Sequence, residues 1–494
     1  MSTENFKDVR RFVELEKELD LFKRSYNGFF YWQHIRFDVC ESLFGNRIAN
    51  VSAESGDEKK SLAKLCVKYG RESIEAIKTS IRLMKKERSE LVILLGPKTS
   101  DKFFDSWDVP EEISHSSFRY IPYTTEKKEG DLFLEPPRLR FVFEKKIRGK
   151  LGLFKEDKAE KRALKKLEDR LKKDFGQSLS ADEMERRIQE FIIFDKHYTR
   201  YFSKLFRRTR CRAAAFTCYY SPELISAAKA AKKSGVKMIE LQHGVINNHE
   251  EYWFEDNRGL HNHVPDILLT FGDIHNSWIK LVKGKKAVSV GFPFQEKSIR
   301  ELENVQPNDK YIVIYPESFP EFENLLDRFI NEITPLGYKV FIKLHPLQAK
   351  NVSLWYPVLS KNKNAEIVTR QTEGIYYWLK MAKHHVMSST TVGLEAVAFD
   401  HPNICIAENV PHDQVQCLLD WKIARGFSTA QQLKELVLHP LDIRTEQAVE
   451  ARKKLWKDNA SENMAAFFRE MKRNDWVIAS ENRSERNSNG RIKR

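Results

Sequence analysis

The amino-acid sequence predicts an α/β protein with two successive doubly wound, Rossmann-like domains. In residues 89–294, short apolar strands that end in glycine or polar residues alternate with helical patterns. The same alternation restarts after a polar stretch at 295–310 and continues through 310–476. Such alternation is typical of parallel sheets that are covered by helices on both faces. We therefore predict an N-terminal and a C-terminal Rossmann-like domain joined by a short linker.

Residues 1–88 precede the first strand pattern and are predicted to form a helical extension. Their apolar positions recur at helical spacing, as in Val13, Leu15 and Leu19. The run Leu91–Leu95 is continuously apolar and is followed by glycine and proline, which is typical of a buried strand that ends in a turn. It is the predicted first strand of the first sheet.

The remaining elements follow from the same two patterns. Apolar runs bounded by glycine, proline or polar residues indicate strands, and helix-forming segments between breakers indicate helices, as between Pro222 and Gly235. The further predicted strands are 213–217, 236–241, 267–272, 287–291, 311–315, 338–344, 366–368, 385–387 and 403–406. The predicted helices between them include 222–234, 321–334, 375–380 and 391–399. The polar, basic tail 477–494 is predicted to be disordered.

A charged, helical segment near 145–210 is predicted to be an insertion in the first domain. Within it, 145–173 contains 13 Lys and Arg residues against 5 Asp and Glu residues. We interpret this run as a solvated face, and the alternative is contact of 143–173 with an anionic membrane surface. The apolar side chains that would aid such contact are Phe143, Ile147, Leu151, Leu153 and Phe154. Nucleic acid is not an expected partner, because no binding motif is present.

The composition indicates a globular protein that works in the cytoplasm. The chain has 494 residues with 41% hydrophobic residues, and no apolar run approaches the roughly 18 residues that span a bilayer. The N-terminus lacks the basic and apolar regions of a secretory signal. Its six cysteines have no C-x-x-C spacing, which favours reduced thiols. The net charge of +14 favours an acidic partner, and peripheral association with the inner face of the plasma membrane agrees with it.

Two segments of the second half predict a nucleotide diphosphate site. Lys343 and His345 follow an apolar strand, at the edge where open α/β sheets bind ligands. Ser388–Thr391 is a run of small hydroxyl residues that opens into a helix, whose N-terminus favours phosphate. Glu395, one turn later, would accept hydrogen bonds from ribose hydroxyls. The predicted donor-binding residues are Lys343, His345, Pro346, Ser388, Ser389, Thr390 and Glu395.

Three short motifs, in this order, resemble those of known bacterial enzymes. Gln242-His243-Gly244 resembles the Q-H-G motif of capsule-polysaccharide glycosyltransferases, including the Kdo-transferase-like capsule proteins. Lys343–Pro346 and Ser388–Thr390 resemble the H-P and S/T motifs of polysialyltransferases and CDP-glycerol glycerophosphotransferases. The acidic pair followed by glycine that serves polysialyltransferases is absent at 242–244, which argues against sialic-acid polymerisation.

The resemblance implies a GT-B glycosyltransferase, whose two Rossmann-like domains face a cleft. Its expected activity is transfer of a sugar, or a sugar-like phosphoalcohol, from a nucleotide-activated donor to a growing capsule, O-antigen or similar surface polysaccharide. A cytidine nucleotide is slightly preferred as the leaving group, since the H-P and S/T motifs hold one in the related enzymes. The expected partners are the nucleotide-sugar donor and an oligosaccharide or glycolipid acceptor.

The first domain should supply the catalytic base, because the acceptor lies opposite the donor in a two-domain cleft. His243 is the first choice, with a near-neutral pKa in water, and His249 and Glu250 are the second. A structural role for His243 is the alternative. His384 and His385 are adjacent on a predicted strand and should point to opposite faces, so a joint metal site is not expected. We predict catalysis without a metal or other cofactor.

Two other functions fit the same motifs. A sugar-nucleotide epimerase of GT-B-like architecture would also need a ribose-binding glutamate on a helix of the second domain. A non-catalytic, membrane-associated scaffold would use the basic segment 145–173 instead. The epimerase converts a sugar nucleotide without an acceptor, and the scaffold is not stabilised by nucleotide.

Overall fold

A computed structural model defines the architecture of the protein. It describes residues 3–44, 88–95, 107–119, 132–133, 138–150, 155–244, 246, 264–282, 284–317, 319–345, 348–349, 351–369, 373–399, 402–410, 413–440 and 446–476. The predicted tail 477–494 and much of the predicted extension 1–88 therefore lie outside the described residues. The same holds for Leu151, Leu153 and Phe154 of the predicted membrane contact.

The first domain contains a small hairpin and a seven-stranded parallel sheet. Its strands are β1 (Ser25–Tyr26), β2 (Phe29–Phe30), β3 (Leu91–Leu95), β4 (His115–Arg119), β5 (Leu132–Phe133), β6 (Ala213–Phe216), β7 (Lys237–Leu241), β8 (Ile267–Thr270) and β9 (Lys286–Ser289). The hairpin pairs β1 with β2, and the sheet has the order β5-β4-β3-β6-β7-β8-β9. Strand β4 was not predicted, because its sequence His-Ser-Ser-Phe-Arg lacks the apolar run of a buried strand.

Seven described helices belong to this half of the chain. They are α1 (Thr3–Glu18), α2 (Trp32–Phe44), α3 (Arg138–Lys150), α4 (Lys158–Phe175), α5 (Ala181–Thr209), α6 (Pro222–Ser234) and α7 (Asp273–Trp278). Long α5 begins at the Ser180 cap, whose hydroxyl accepts a hydrogen bond from the Glu183 N–H. Helix α6 has a proline at its start and glycine 235 in the left-handed conformation at its end, as predicted.

The N-terminal helices and the charged segment form one packed layer on the first sheet. The Tyr26 hydroxyl donates to Glu185 at 2.5 Å, and the Tyr31 hydroxyl donates to Glu160 at 2.5 Å. Trp32 and Phe202 share a buried apolar core with strand residues of the sheet. The predicted extension and the predicted insertion therefore contact each other through buried polar bonds as well as apolar packing.

The second domain is a six-stranded parallel sheet in the order β12-β11-β10-β13-β14-β15. Its strands are β10 (Asn308–Tyr315), β11 (Lys339–Lys343), β12 (Ala365–Val368), β13 (Ala382–Met387), β14 (Asn403–Ala407) and β15 (Arg425–Phe427). Numbered within the domain, this order is 3-2-1-4-5-6, that of dinucleotide-binding folds. Alternate residues of β10 enter two different cores, with Val313 on one face and Ile314 on the other.

Nine described helices complete the chain. They are α8 (Pro293–Glu301), α9 (Pro320–Ile333), α10 (Val352–Trp355), α11 (Ile375–Met381), α12 (Val392–Ala396), α13 (Gln416–Asp420), α14 (Ala430–Leu438), α15 (Glu446–Leu455) and α16 (Ala460–Arg473). Helix α8 occupies much of the polar stretch 295–310, which was predicted as a linker. Proline is favoured in the first turn of a helix, and α8 begins at Pro293. The helix was not predicted because most of the residues that follow Pro293 are polar. None of the described helices is both long and apolar enough to cross a membrane.

The last two helices return from the second domain to the first. The Trp456 ring stacks on Phe271 with centroids 5.5 Å apart, and the Lys457 N–H donates to the Phe271 carbonyl at 2.8 Å. Farther along, Arg469 pairs with Glu112 at 2.7 Å. A single apolar core consequently contains strand residues from both sheets together with residues of α15 and α16.

A methyl group added at Gly272 should destabilise this return. Gly272 has extended backbone geometry, so Gly272→Ala introduces no dihedral strain, but its Cβ would lie 2.3 Å from the Lys454 carbonyl oxygen. Backbone atoms cannot move aside as a side chain does, and we expect a loss of about 1–3 kcal/mol in unfolding free energy. Chemical denaturation measures it. Gly244→Ala is the control, because a Cβ there meets nothing within 4 Å, and equal losses in both variants would contradict the prediction.

Candidate functional site

The chain reverses its strand order between β10 and β13 of the second sheet. From β10 it proceeds to β11 and β12 on one side, then returns to β13, β14 and β15 on the other. The loops after two such neighbouring strands lead in opposite directions and leave a crevice at their carboxyl ends, where open α/β sheets bind ligands. The loop after β10 contains Glu317, and the loop after β13 contains Ser388–Thr391.

The hydroxyl run lies where it was predicted, at the carboxyl end of β13. Ser388 is fully buried, whereas Ser389, Thr390 and Thr391 are half-buried. The helix that follows, α12, is shorter than the predicted 391–399, because the N–H groups of the next residues bond carbonyls three positions back. The hydroxyl loop lies at the crevice because it directly follows the carboxyl end of β13.

Glu317 is a site residue that the sequence reasoning missed. The Ser388 hydroxyl and the Ser389 backbone N–H both interact with its carboxylate and lower the pKa. Burial has the larger effect and raises the pKa of Glu317 from 4.5 to about 7. The carboxyl thus lies where a phosphate would approach the same hydroxyl loop. A single glutamate after a strand matches no motif. Its position just after the first strand of the second domain was the one signal that could have identified it.

Lys343 and His345 lie at the end of neighbouring strand β11. Lys343 is buried, which lowers the pKa of its ammonium, while the negative charge of Glu373 opposes that shift. The His345 side chain reaches solvent at the rim, but partial desolvation and then the positive charge of Lys343 lower its pKa. Its backbone is tied to Gln348, whose Oε1 accepts the His345 N–H at 3.2 Å. Pro346 lies outside the described residues.

Glu395 is half-buried and belongs to a polar cluster beside the crevice whose other members are buried. The cluster contains the side chains of Gln295, Tyr315, Tyr376 and Glu395. Burial, followed by the charge of Glu395, raises the pKa of both tyrosines well above 10. Within the described residues, Glu395 Oε2, the Tyr376 hydroxyl and Gln295 Nε2 are buried atoms without a well-formed hydrogen bond. Such orphans are rare in proteins and indicate capacity for a polar ligand.

Gln242 of the Q-H-G motif organises the end of β7 rather than facing a ligand. Its Oε1 accepts the Phe271 N–H at 2.9 Å, and its Nε2 donates to the Gly244 carbonyl at 2.8 Å and to His275 Nδ1 at 3.1 Å. His275 Nε2 lies 3.2 Å from the Leu455 carbonyl, which only accepts, so Nε2 carries the proton. Burial lowers the pKa of His275 to about 3, which keeps the ring neutral.

His243 follows Gln242 and is half-buried. Its Nε2 lies 3.0 Å from the Tyr220 hydroxyl, and Tyr220 itself stacks on Phe37 with centroids 4.9 Å apart. Tyr220 comes from the loop after β6, at the strand-order reversal of the first sheet, where β3 and β6 are neighbours. The structure therefore pairs His243 with a tyrosine at the carboxyl edge of the first domain. His249 and Glu250 lie outside the described residues.

No group of three or more His, Cys, Asp or Glu side chains suited to a metal ion occurs in the described ranges. His384 and His385 point to opposite faces of β13, as the strand geometry predicted. His384 Nε2 bonds the Asp309 carbonyl at 2.9 Å, whereas His385 Nδ1 lies 3.4 Å from the Tyr315 hydroxyl. Independence from metal stays a prediction.

Two doubly wound parallel sheets, with C-terminal helices that return to the first domain, form a GT-B fold. The predicted fold class is therefore confirmed. The chain's own topology carries this assignment, and it defines the class of protein without naming a reaction.

Known proteins are similar to this chain only at the level of the fold. No protein-family model and no curated protein sequence matches it. The UDP-GlcNAc 2-epimerase of Methanocaldococcus jannaschii, solved with UDP-GlcNAc and UDP, is 12% identical, with 78% of this chain and 99% of that chain covered and a TM-score of 0.45. MurG of Acinetobacter baumannii is 13% identical over 77% and 100%, with a TM-score of 0.39. The glycosyltransferase SnogD of Streptomyces nogalater is 10% identical over 77% and 99%, with a TM-score of 0.45.

The raised pKa of Glu317 predicts a pH-dependent cost to stability. A folded-state pKa of about 7 means that the folded protein holds this proton up to a higher pH than the unfolded chain. Stability is therefore lost as pH rises from about 4.5 to about 7. Relative to the wild type, Glu317→Gln should gain unfolding free energy over this window, approaching about 3 kcal/mol.

Denaturant unfolding at pH 5 and pH 8 measures this gain. Glu303→Gln, at an exposed site, is the control and should show no such growth with pH. If Glu317→Gln changes the unfolding free energy by the same amount at both pH values, the raised pKa of Glu317 is contradicted.

Proposed function

We propose that the protein is a GT-B glycosyltransferase that uses a nucleotide-activated donor. The observation that carries this proposal is the crevice at the strand-order reversal of the second sheet. It combines the hydroxyl loop Ser388–Thr391 with the half-buried Glu395, whose buried Oε2 has no well-formed hydrogen bond among the described residues. The hydroxyl loop suits phosphate oxygens, and the Glu395 carboxylate suits a pair of ligand hydroxyls.

The donor would occupy the crevice with its diphosphate toward β11 and β13. The ammonium of Lys343 and the hydroxyl groups of Ser389 and Thr390 are donors for a leaving phosphate, and His345 lies next to Lys343. Charge that develops on the leaving oxygen is stabilised most by donors that are already in place. Glu395 would accept hydrogen bonds from the ribose hydroxyls, and its Oε2 would thereby gain a hydrogen-bond partner.

The acceptor would approach from the first domain, where His243 is the proposed base. If the Tyr220 hydroxyl donates a hydrogen bond to His243 Nε2, that nitrogen is the unprotonated one and the ring is held in one orientation. When a hydroxyl of the acceptor takes the place of the Tyr220 hydroxyl at His243 Nε2, this nitrogen would remove the acceptor proton as the sugar is transferred. No step of this scheme calls for a metal ion.

The finer features of the proposal come from the motif resemblance. They are a cytidine nucleotide as the preferred leaving group, a capsule, O-antigen or similar surface polysaccharide as the product, and an oligosaccharide or glycolipid as the acceptor. A cytoplasmic location with peripheral contact at the membrane fits these substrates. An epimerase would use the same nucleotide-binding residues and is the alternative that the assays below distinguish.

Glu395→Gln should weaken nucleotide binding by about tenfold to a hundredfold, because it removes charged hydrogen bonds to the ribose. Screening CMP, CDP, UDP and GDP for a rise in Tm identifies the ligand, and titration of that nucleotide measures the loss. Glu366→Gln, an exposed carboxylate of the same domain, is the control. Unchanged nucleotide affinity in Glu395→Gln would contradict its role in ribose binding. Full turnover in His345→Ala would likewise contradict the assignment of His345 to the donor site. No nucleotide response in the wild type would favour the scaffold.

His243→Asn should lower kcat by about 100-fold to 10,000-fold while leaving nucleotide affinity unchanged, because a base acts only on the acceptor side. The assay follows the sugar nucleotide selected by the thermal screen, with and without oligosaccharide acceptors. Tyr220→Phe should have a smaller effect, since it removes orientation of the ring but not the base. Conversion of the sugar without any acceptor would indicate an epimerase, and full activity in His243→Asn would exclude its role as base.

A further inference from the structure

A groove of about 410 Å³ on the first domain carries an excess of positive charge. It lies between α5 and α6, and six of the nine residues that line it are cations against a single carboxylate. The lining residues are Asp195, Lys196, Thr199, Arg200, Ser203, Lys204, Arg207, Lys229 and Lys233. On α5 the cations recur every three or four residues, which places them along one face of the helix.

Two of these cations form ion pairs with carboxylates of the described residues. Lys229 pairs with Asp195, and Lys196 pairs with Glu144 at 3.0 Å. The other four, which are exposed, form no ion pair with any carboxylate in the described part of the chain; they are Arg200, Lys204, Arg207 and Lys233. Four unpaired cations around one groove favour an anionic occupant.

The basic run that the sequence singled out behaves differently. Along α4, Lys161 pairs with Glu185 at 3.0 Å, Lys165 with Glu168 at 2.9 Å, and Arg170 with Asp174 at 2.6 Å. Four of the eight Lys and Arg residues of this helix are therefore paired with carboxylates of the protein. The other four are exposed and form no ion pair among the described residues. The groove differs from α4 because its cations line one concave surface.

An exposed apolar pair lies beside one end of the groove. Phe143 and Ile147 of α3, one helical turn apart, are 49% and 38% exposed. The next residue on α3, Glu144, forms the ion pair with Lys196 at the groove edge. Neighbouring cationic and exposed apolar side chains are the combination that binds the surface of an anionic bilayer. None of the lining residues is aromatic, which disfavours a single-stranded nucleic acid that stacks its bases.

The groove is separate from the candidate active site. Helix α5 ends at Thr209, whose carbonyl accepts the Ser89 N–H just before β3 begins, and α6 ends shortly before β7. Both helices therefore run toward the amino edge of the first sheet, whereas His243 lies at its carboxyl edge. An occupant of the groove does not compete with a substrate in the cleft.

From these observations we propose that the groove between α5 and α6 binds the phosphate headgroups of anionic membrane lipids, with Phe143 and Ile147 entering the bilayer interface. This inference does not rest on the proposed reaction. It moves the predicted membrane contact from α4, where half of the cations are ion-paired, to the groove, where four of six cations form no ion pair among the described residues. The exposed apolar pair keeps its predicted role.

Co-sedimentation of the full chain with lipid vesicles tests the proposal. The protein should bind phosphatidylcholine vesicles that contain phosphatidylglycerol and should not bind vesicles of phosphatidylcholine alone. Arg200→Glu with Lys204→Glu should weaken binding at least about thirtyfold. The control is Lys166→Glu with Lys173→Glu, which changes net charge equally at two exposed positions of α4. Phe143→Ser with Ile147→Ser should remove the part of binding that survives high salt.

Equal losses in the groove variant and the control would show attraction by net charge only and would overturn the proposal. Absence of vesicle binding by the wild type would also overturn it. A rise in Tm with inorganic phosphate that only the groove variant loses, without vesicle binding, would assign the groove to a soluble phosphate ligand instead. Circular dichroism and Tm of each variant confirm folding, and nucleotide binding stays unchanged in all of them, which separates this test from that of the proposed activity.

Discussion

The close approach of the C-terminal helices to the first sheet is the constraint on which the two-domain arrangement depends. Gly272 and Gly291 lack the side chain that would collide with the backbone of Lys454 and Lys457. Trp456 fills the space beside them, stacking on the first domain while its indole N–H donates to the Leu394 carbonyl of the second at 3.0 Å. One residue therefore links both sheets, and the two carboxyl edges are held relative to each other.

This linkage also explains how Gln242 serves the fold. Its amide bonds the start of α7 and His275, and His275 in turn bonds the carbonyl of Leu455 in the returning helix. The first residue of the Q-H-G motif therefore stabilises the domain interface, and the second, His243, is the proposed base. The candidate donor site differs, because Glu395 Oε2 and the Tyr376 hydroxyl are buried atoms without a well-formed hydrogen bond among the described residues. In the proposed function a ligand would supply the missing hydrogen-bond partners and offset the free-energy cost of this burial.

The sequence predicted the fold more fully than the site. Strands such as Leu91–Leu95 and Lys339–Lys343 are read from continuous apolar runs, because both faces of a parallel sheet are covered. Strand β4 is largely polar and β15 has only three residues, so neither contains a continuous apolar run. Glu317 and the groove cations were missed for a different reason. Their significance arises from neighbours that are distant along the chain, such as Ser388 for Glu317.

From the sequence alone came the two-domain α/β organisation, the order of the strands along the chain and the position of the hydroxyl run after its strand. These are local properties, set by apolar periodicity and by turn residues within a few positions. Which strands are neighbours, which charges are paired and which polar atoms stay buried without partners were decided by tertiary structure. The reason is that burial and pairing depend on contacts across the chain. Lys161 of α4, for example, is paired with Glu185 of α5, whereas Arg200 and Lys204 stay unpaired among the described residues.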